Sequence, residues 1–128
     1  MNLRSPLSHV LGSGSAKEGT DHWWAQRVTA LGLVFLGLWF LFALQQLESF
    51  DHAQVVRWVS QPFAGVMLVL LCLTLAYHSV LGIQVIIEDY VHGAFLKVAS
   101  LILSKFAHIF VAFAGVYAVL KISFGADL

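Results

Sequence analysis

One histidine lies deep inside an apolar stretch, where an ionisable side chain is costly and usually has a functional task. His78 falls within Phe63–Ile87, a run that carries no formal charge. It lies about 13 Å from the end of this run at helical rise. A neutral imidazole at that depth can ligate haem iron or hydrogen-bond to a neighbouring helix, and its position leaves both interpretations open. Gly82, one turn further on the same face, leaves room for a flat macrocycle or a closely packed helix.

Two more ionisable residues lie in a later apolar run. Lys105 and His108 are three residues apart and therefore share a helical face. His108 lies about 16 Å from Lys97 by helical rise, a depth comparable to that of His78. His108 could complete a two-histidine haem site within this chain, or it could simply pack in a helix bundle. Lys105 could approach a haem propionate, pair with an acid of a partner, or extend towards the lipid headgroups.

A short polar run, Glu88-Asp89-Tyr90, lies where the second apolar run ends. Tyrosine is common at the headgroup level of a membrane, so Tyr90 could be only an interface anchor. Its phenol could also donate a hydrogen bond to a quinone carbonyl, with the Asp89 carboxylate in the path of the protons.

The segment that precedes the first apolar run combines aromatic and basic residues. Trp23 and Trp24 suit a membrane interface, and Arg27 follows directly at the membrane edge. Arg27 could be a simple anchor, or its guanidinium could pair with a haem propionate. The preceding Gly12–Glu18 is too polar for lipid, so we expect it to be solvated or docked on another protein.

The composition determines what kind of elements position these residues. Of 128 residues, 59% are hydrophobic and 11% are charged, against about 25% charge in a soluble domain. This excludes a disordered chain and argues against a soluble enzyme. A net charge of zero argues against nucleic-acid binding. Because Cys72 is the only cysteine, the chain alone forms no disulfide and holds no iron–sulfur cluster.

Three apolar runs are each long enough to cross a bilayer, which takes about 20 helical residues. They predict an all-α membrane protein whose three transmembrane helices are antiparallel neighbours. Val55, Val56 and Val59 have helical spacing and predict a short surface helix between the first two spans. Ser60 and Pro62 predict the start of the second span, and Gly93 a break before the third. The predicted division is an amino-terminal segment 1–27, a span 28–47, a loop 48–62, a span 63–87, a loop 88–97, a span 98–120 and a tail 121–128.

The distribution of basic residues predicts the orientation. Four lie on the amino-terminal side of the membrane and two on the other: Arg4, Lys17, Arg27 and Lys97 against Arg57 and Lys121. Because basic residues favour the cytoplasmic side, we expect a cytoplasmic amino terminus and an external carboxyl terminus. A signal peptide has a basic start, then an apolar core and then a cleavage site, and this order is absent here. We therefore expect the first 27 residues to remain in the mature protein.

The stretch His78-Ser79-Val80-Leu81-Gly82-Ile83-Gln84-Val85-Ile86-Ile87-Glu88-Asp89-Tyr90 carries a resemblance. Its spacing of histidine, glycine and Asp-Tyr resembles the small hydrophobic anchor subunits of succinate dehydrogenase, respiratory complex II. Residues 15–30 are similar to the bacterial and mitochondrion-related branch of that family. The resemblance covers roughly residues 12 to 121 and includes the chain length and the three helices.

The resemblance implies a function and a set of partners. The expected function is to anchor a succinate:ubiquinone oxidoreductase in the bacterial inner membrane, together with a second three-helix anchor subunit, the cytochrome b partner. The flavoprotein and iron–sulfur subunits would bind on the cytoplasmic face, and a b-type haem would lie between the two anchors. The resemblance implies His78 as an axial haem ligand, Arg27 and His22 at the propionates, Tyr90 on ubiquinone and Asp89 beside it.

Three alternatives to this interpretation remain at the level of sequence. A fumarate reductase anchor would carry the reverse flux. A small transporter subunit would need charged or broken helices along a path, and the first two runs have neither. A purely structural scaffold would give no reason for the placement of His78 and Tyr90.

Overall fold

The computed structural model describes the backbone of residues 14–125 and the side chains of residues 19–125. These residues form four helices and no strand, as the sequence predicts: α1 (Gly14–Gln45), α2 (His52–Val59), α3 (Pro62–Tyr90) and α4 (Ala94–Ser123). The predicted docking segment Gly12–Glu18 lies partly outside the described residues. Its remaining residues, 14–18, form the start of α1.

Three of the helices are long and apolar enough to cross a membrane. The candidate spans are Gly19–Gln45, Pro62–Tyr90 and Ala94–Ser123. A helix of 30 residues is about 45 Å long, more than the roughly 30 Å of the hydrocarbon core, so the ends extend into the headgroup region or the helices tilt. Large apolar side chains are exposed along these spans, including Phe110 at 74%. The protein is therefore a multi-pass membrane protein whose outer faces suit lipid or another apolar chain.

The three spans lie in a row with α3 in the middle. Helix α3 packs against both α1 and α4, whereas within residues 14–125 no Cα atom of α1 lies within 8 Å of a Cα atom of α4. Among residues 19–125 only four apolar side chains are buried: Val59, Ala64, Leu68 and Leu81. A row of helices buries less surface than a closed bundle, so much of each span is left for contacts outside this chain.

Small residues allow the helices in this row to approach closely, as in other membrane helix pairs. A Cβ atom on Gly32 of α1 would lie 3.7 Å from Cγ2 of Thr74 on α3. A Cβ atom on Gly115 of α4 would lie 3.3 Å from Sγ of Cys72. At the amino-terminal end of α3, a Cβ atom on Gly65 would lie only 2.9 Å from the Ser123 hydroxyl.

The predicted surface helix is present as α2. Asp51 caps it by accepting a 2.7 Å hydrogen bond from the Gln54 amide, and Ser49 donates to the same carboxylate. The Ser49 hydroxyl and the Gln54 amide both hold the pKa of Asp51 below 3.8. The Trp58 ring stacks on Trp39 of α1, with 6.3 Å between the ring centroids. These contacts hold α2 against the carboxyl-terminal end of α1.

The connections differ in one detail from the prediction. The residue that precedes α3 is Gln61 and not Ser60, with Pro62 in the first turn as expected. The Ser60 hydroxyl instead donates to the carbonyls of Val56 and Ile122, so it links the end of α2 to the end of α4. Gly93 precedes α4, which confirms the predicted break between the second and third spans.

Substituting Gly65→Ala should weaken the α3–α4 packing. The new methyl group would displace the Ser123 hydroxyl, which donates to the Val59 carbonyl at 3.1 Å. Loss of that bond should lower the free energy of unfolding by about 1 kcal/mol, measured in mixed detergent. The matched control is Gly37→Ala, since a Cβ atom on Gly37 meets nothing within 4 Å. Equal stability of the two variants would show that contact at Gly65 does not limit the packing.

Candidate functional site

The contact between α1 and α3 includes a cluster of polar side chains around His78. Nδ1 of His78 lies 2.9 Å from the Thr29 hydroxyl oxygen. Nε2 of His78 lies 3.5 Å from the amide nitrogen of Gln26, at the long limit of a hydrogen bond. Both ring nitrogens of the half-buried His78 therefore face side chains of α1.

The two residues of α1 that meet His78, Gln26 and Thr29, share a helical face with His22. His22, Gln26 and Thr29 are spaced four and three residues apart, which places them on one face of the helix. Gly82, one turn beyond His78, also faces Gln26, and a Cβ atom there would lie 3.6 Å from the Gln26 amide nitrogen, an ordinary contact distance.

Two polar atoms of this cluster have no hydrogen-bond partner among the described residues. They are Nε2 of His22 and Oε1 of Gln26, and both are buried. An unpaired buried polar atom costs free energy, and most such atoms in folded proteins have a partner. One more polar group could therefore form hydrogen bonds with this cluster near the amino-terminal end of α1.

Arg27 does not converge on this cluster. It follows Gln26 and so points about 100° around the helix from it. Its guanidinium carbon lies 5.3 Å from the centre of the Trp23 ring, in a cation–π contact at an exposed position. No acidic side chain within residues 19–125 pairs with it, so the charge is available to a group that comes from outside the chain.

His108 lies in the other helix contact of α3. Its Nδ1 is 2.7 Å from the Ser104 carbonyl, and its Nε2 is 3.0 Å from the Ser79 hydroxyl. Both nitrogens are thereby satisfied within the α3–α4 pair. Because His78 faces α1 and His108 faces α3 from α4, this fold does not bring the two histidines together around one iron.

Lys105 is exposed on the same pair of helices. It borders a groove of about 360 Å³ between α3 and α4, together with Tyr77, His108 and apolar side chains. No hydrogen bond or ion pair of its ammonium group occurs within the described chain. The side chain leans towards the amino-terminal end of α4, as helical side chains do, so it is directed towards the nearer membrane surface.

The Asp89-Tyr90 pair forms the exposed end of α3. Tyr90 is 77% exposed, and neither its phenol nor the Asp89 carboxylate has a partner within residues 19–125. The backbone around them is held in place: Lys97 donates to the Glu88 carbonyl at 2.8 Å, and His92 donates to the Tyr90 carbonyl at 3.0 Å. Two functional groups thus project from a fixed turn about 18 Å along the helix from His78.

The chain matches the model of a protein family over residues 1–119, and this family is described as succinate dehydrogenase/fumarate reductase transmembrane subunit. The chain belongs to this family. The resemblance seen in the sequence is therefore confirmed.

Three relatives illustrate the range of similarity within the succinate dehydrogenase/fumarate reductase family. The succinate dehydrogenase hydrophobic membrane anchor subunit of Paracoccus denitrificans is 29% identical over 126 residues, which cover 98% of this chain and 97% of that protein. The protein of the same name from Rickettsia bellii is 34% identical over 70% of this chain and 72% of its own length. The succinate dehydrogenase membrane anchor subunit of Reclinomonas americana is 31% identical over 70% and 77%.

The structure identifies two residues of the His78 cluster that the sequence interpretation missed. Gln26 and Thr29 are the α1 partners of His78. The available signal was the spacing of His22, Gln26 and Thr29, which forms a polar stripe at the start of an otherwise apolar helix. Within the described residues, no three His, Cys, Asp or Glu side chains form a metal-binding group.

Proposed function

We propose that this chain is a membrane anchor subunit of a succinate:ubiquinone oxidoreductase. The family match and the names of the relatives support the anchor role. The three spans would hold the flavoprotein and iron–sulfur subunits at the membrane, with a second three-helix anchor subunit beside them. The family description also covers fumarate reductase, but the relatives cited above are all named for succinate dehydrogenase.

In this proposal His78 is an axial ligand of a b-type haem shared with the partner anchor. The chemistry of the cluster fits such a group. Nε2 of His78 has only a long contact, 3.5 Å, to the Gln26 amide, which an iron ligand bond can replace. When bound, the haem supplies a site that takes up and releases one electron at a time. A single histidine from this chain suffices if the partner contributes the other ligand.

The haem propionates are proposed to lie towards the cytoplasmic end of α1. The buried Nε2 of His22 has no partner within the described chain, and a carboxylate could accept its hydrogen bond. Arg27 carries an unpaired guanidinium on an adjacent face, within one helical turn of Gln26. The length of its side chain and its preference for carboxylates suit a second contact with a propionate, made from the membrane edge.

The quinone contact is proposed at the carboxyl-terminal end of α3, which faces the cytoplasm in this proposal. The Tyr90 phenol can donate a hydrogen bond to a ubiquinone carbonyl, and this bond strengthens as negative charge develops on the oxygen during reduction. Reduction to quinol consumes two protons. The exposed Asp89 carboxylate can pass protons from solvent towards the quinone. Electrons would come from the iron–sulfur subunit, which must meet the membrane at this surface.

This arrangement requires a cytoplasmic amino terminus in a bacterial inner membrane. With three spans, the start of α1 and the α3–α4 turn lie on the same side, so the histidine cluster and Tyr90 face the same compartment. The excess of basic residues on that side, including Arg27 and Lys97, supports the assignment of that side to the cytoplasm.

Replacing His78 should change the haem. In the purified complex, His78→Ala removes one nitrogen ligand and should alter or abolish the low-spin spectrum of the reduced b-type haem. His108→Ala is the matched control, because His108 is already hydrogen-bonded on both nitrogens within α3 and α4. It should retain the spectrum. A normal low-spin spectrum in His78→Ala would contradict the assignment, and loss in both variants would favour the two-histidine site.

Replacing Tyr90 by phenylalanine should slow quinone reduction. The ring and its position at the interface remain, while the donor is lost. Ubiquinone reductase activity should fall about tenfold, the equivalent of about 1.4 kcal/mol for a lost hydrogen bond. Succinate oxidation with an artificial acceptor that takes electrons upstream should be unchanged and serves as the control. Wild-type ubiquinone kinetics in Tyr90→Phe would mean that Tyr90 is only an interface anchor.

A further inference from the structure

The hydroxyl of Thr29 has a single hydrogen, and the nearest acceptor for it is the backbone carbonyl one turn earlier in α1. It donates to the Ala25 carbonyl at 2.7 Å, with a longer contact of 3.2 Å to the Gln26 carbonyl. Only the lone pairs of the oxygen therefore remain for His78, whose Nδ1 lies 2.9 Å away. Nδ1 must be the protonated nitrogen of the imidazole ring, and it donates to Thr29.

We propose that Thr29 is a positioning residue that selects the tautomer of His78 and fixes the rotation of its ring. This inference rests on the proposed role of His78 as a haem ligand. With the proton held on Nδ1, the lone pair of His78 is on Nε2, the atom that is free to bind iron. A hydrogen bond from the distal N–H of a ligating imidazole also makes the ring a stronger electron donor.

The other contact of the ring supports the same tautomer. The amide nitrogen of Gln26 faces Nε2 of His78, and an amide N–H can only donate. Nε2 is therefore the acceptor, in agreement with the proton on Nδ1. The two α1 side chains have different tasks. Thr29 holds the nitrogen that stays hydrogen-bonded, whereas Gln26 covers the nitrogen that iron would take and has to move aside.

Three variants of the intact complex test this role. Thr29→Val keeps the β-branched shape and removes the acceptor, whereas Thr29→Ser keeps the hydroxyl. The control is Thr74→Val, which makes the same change one turn from His78 in the same helix contact, where Cγ2 of Thr74 lies 3.7 Å from a Cβ placed on Gly32. Thr29→Ala removes the hydroxyl with a smaller side chain and replaces Thr29→Val if that variant does not assemble.

The readouts are the midpoint potential of the haem in a redox titration and the low-spin electron paramagnetic resonance signal. Loss of the hydrogen bond weakens the ligand towards ferric iron, so the potential should rise in Thr29→Val and return in Thr29→Ser. A tenfold change in the relative affinity for the two oxidation states corresponds to about 59 mV for one electron. Affinity for haem should fall about 10- to 100-fold, and Thr74→Val should match the wild type.

Two results would overturn the role of Thr29. One is a wild-type potential and resonance signal in the variants without the hydroxyl. The other is an equal shift in Thr74→Val, which would assign the effect to general packing of α1 on α3. The outcome for His78→Ala separates this inference from the proposed function. A normal haem spectrum in His78→Ala would contradict the proposed function, because His78 would then not be the ligand. A lost spectrum in His78→Ala together with an unperturbed haem in Thr29→Val would contradict only the positioning role of Thr29.

Discussion

Polar atoms inside a bilayer have no water to bond with, so each must find a partner within the protein or on a bound group. The contact between α1 and α3 is organised around this constraint. His78 lies far from either end of its span, and Thr29 and Gln26 of α1 meet its two ring nitrogens. Gly32 and Gly82 also lie in that contact, and Trp39 of α1 packs on Phe63 of α3 near its other end.

The same constraint explains why His108 differs from His78 despite a similar depth. His108 has two short hydrogen bonds, to the Ser104 carbonyl and the Ser79 hydroxyl, and it joins α4 to α3. The cluster around His78 has one long contact and two buried atoms without partners, on His22 and Gln26. His108, with both nitrogens hydrogen-bonded, acts as a structural link. The His78 cluster, in which some polar atoms lack hydrogen-bond partners, suits the binding of a further group. The open row of three spans leaves space for a partner subunit to supply the other side.

Much of this fold could be predicted from the sequence because the relevant signals are local. The lengths of the apolar runs predict the spans, the spacing of Val55, Val56 and Val59 predicts α2, and Gly93 predicts the last break. His78 could be singled out because a histidine within 25 apolar residues is rare. The side-chain partners could not be predicted in this way. The pairs Thr29–His78 and Ser79–His108 join residues 49 and 29 positions apart, and they depend on the rotation of each helix about its axis.

The most direct test of haem ligation by this chain is a high-resolution structure of the assembled complex with its partner anchor. The expected result is a haem between the two anchors with its iron bound to Nε2 of His78, while Nδ1 keeps its hydrogen bond to the Thr29 hydroxyl. The Gln26 amide should have moved away from Nε2, and a carboxylate should lie beside His22. An iron whose axial positions are both occupied by other residues, with His78 still facing Gln26, would contradict the proposed function.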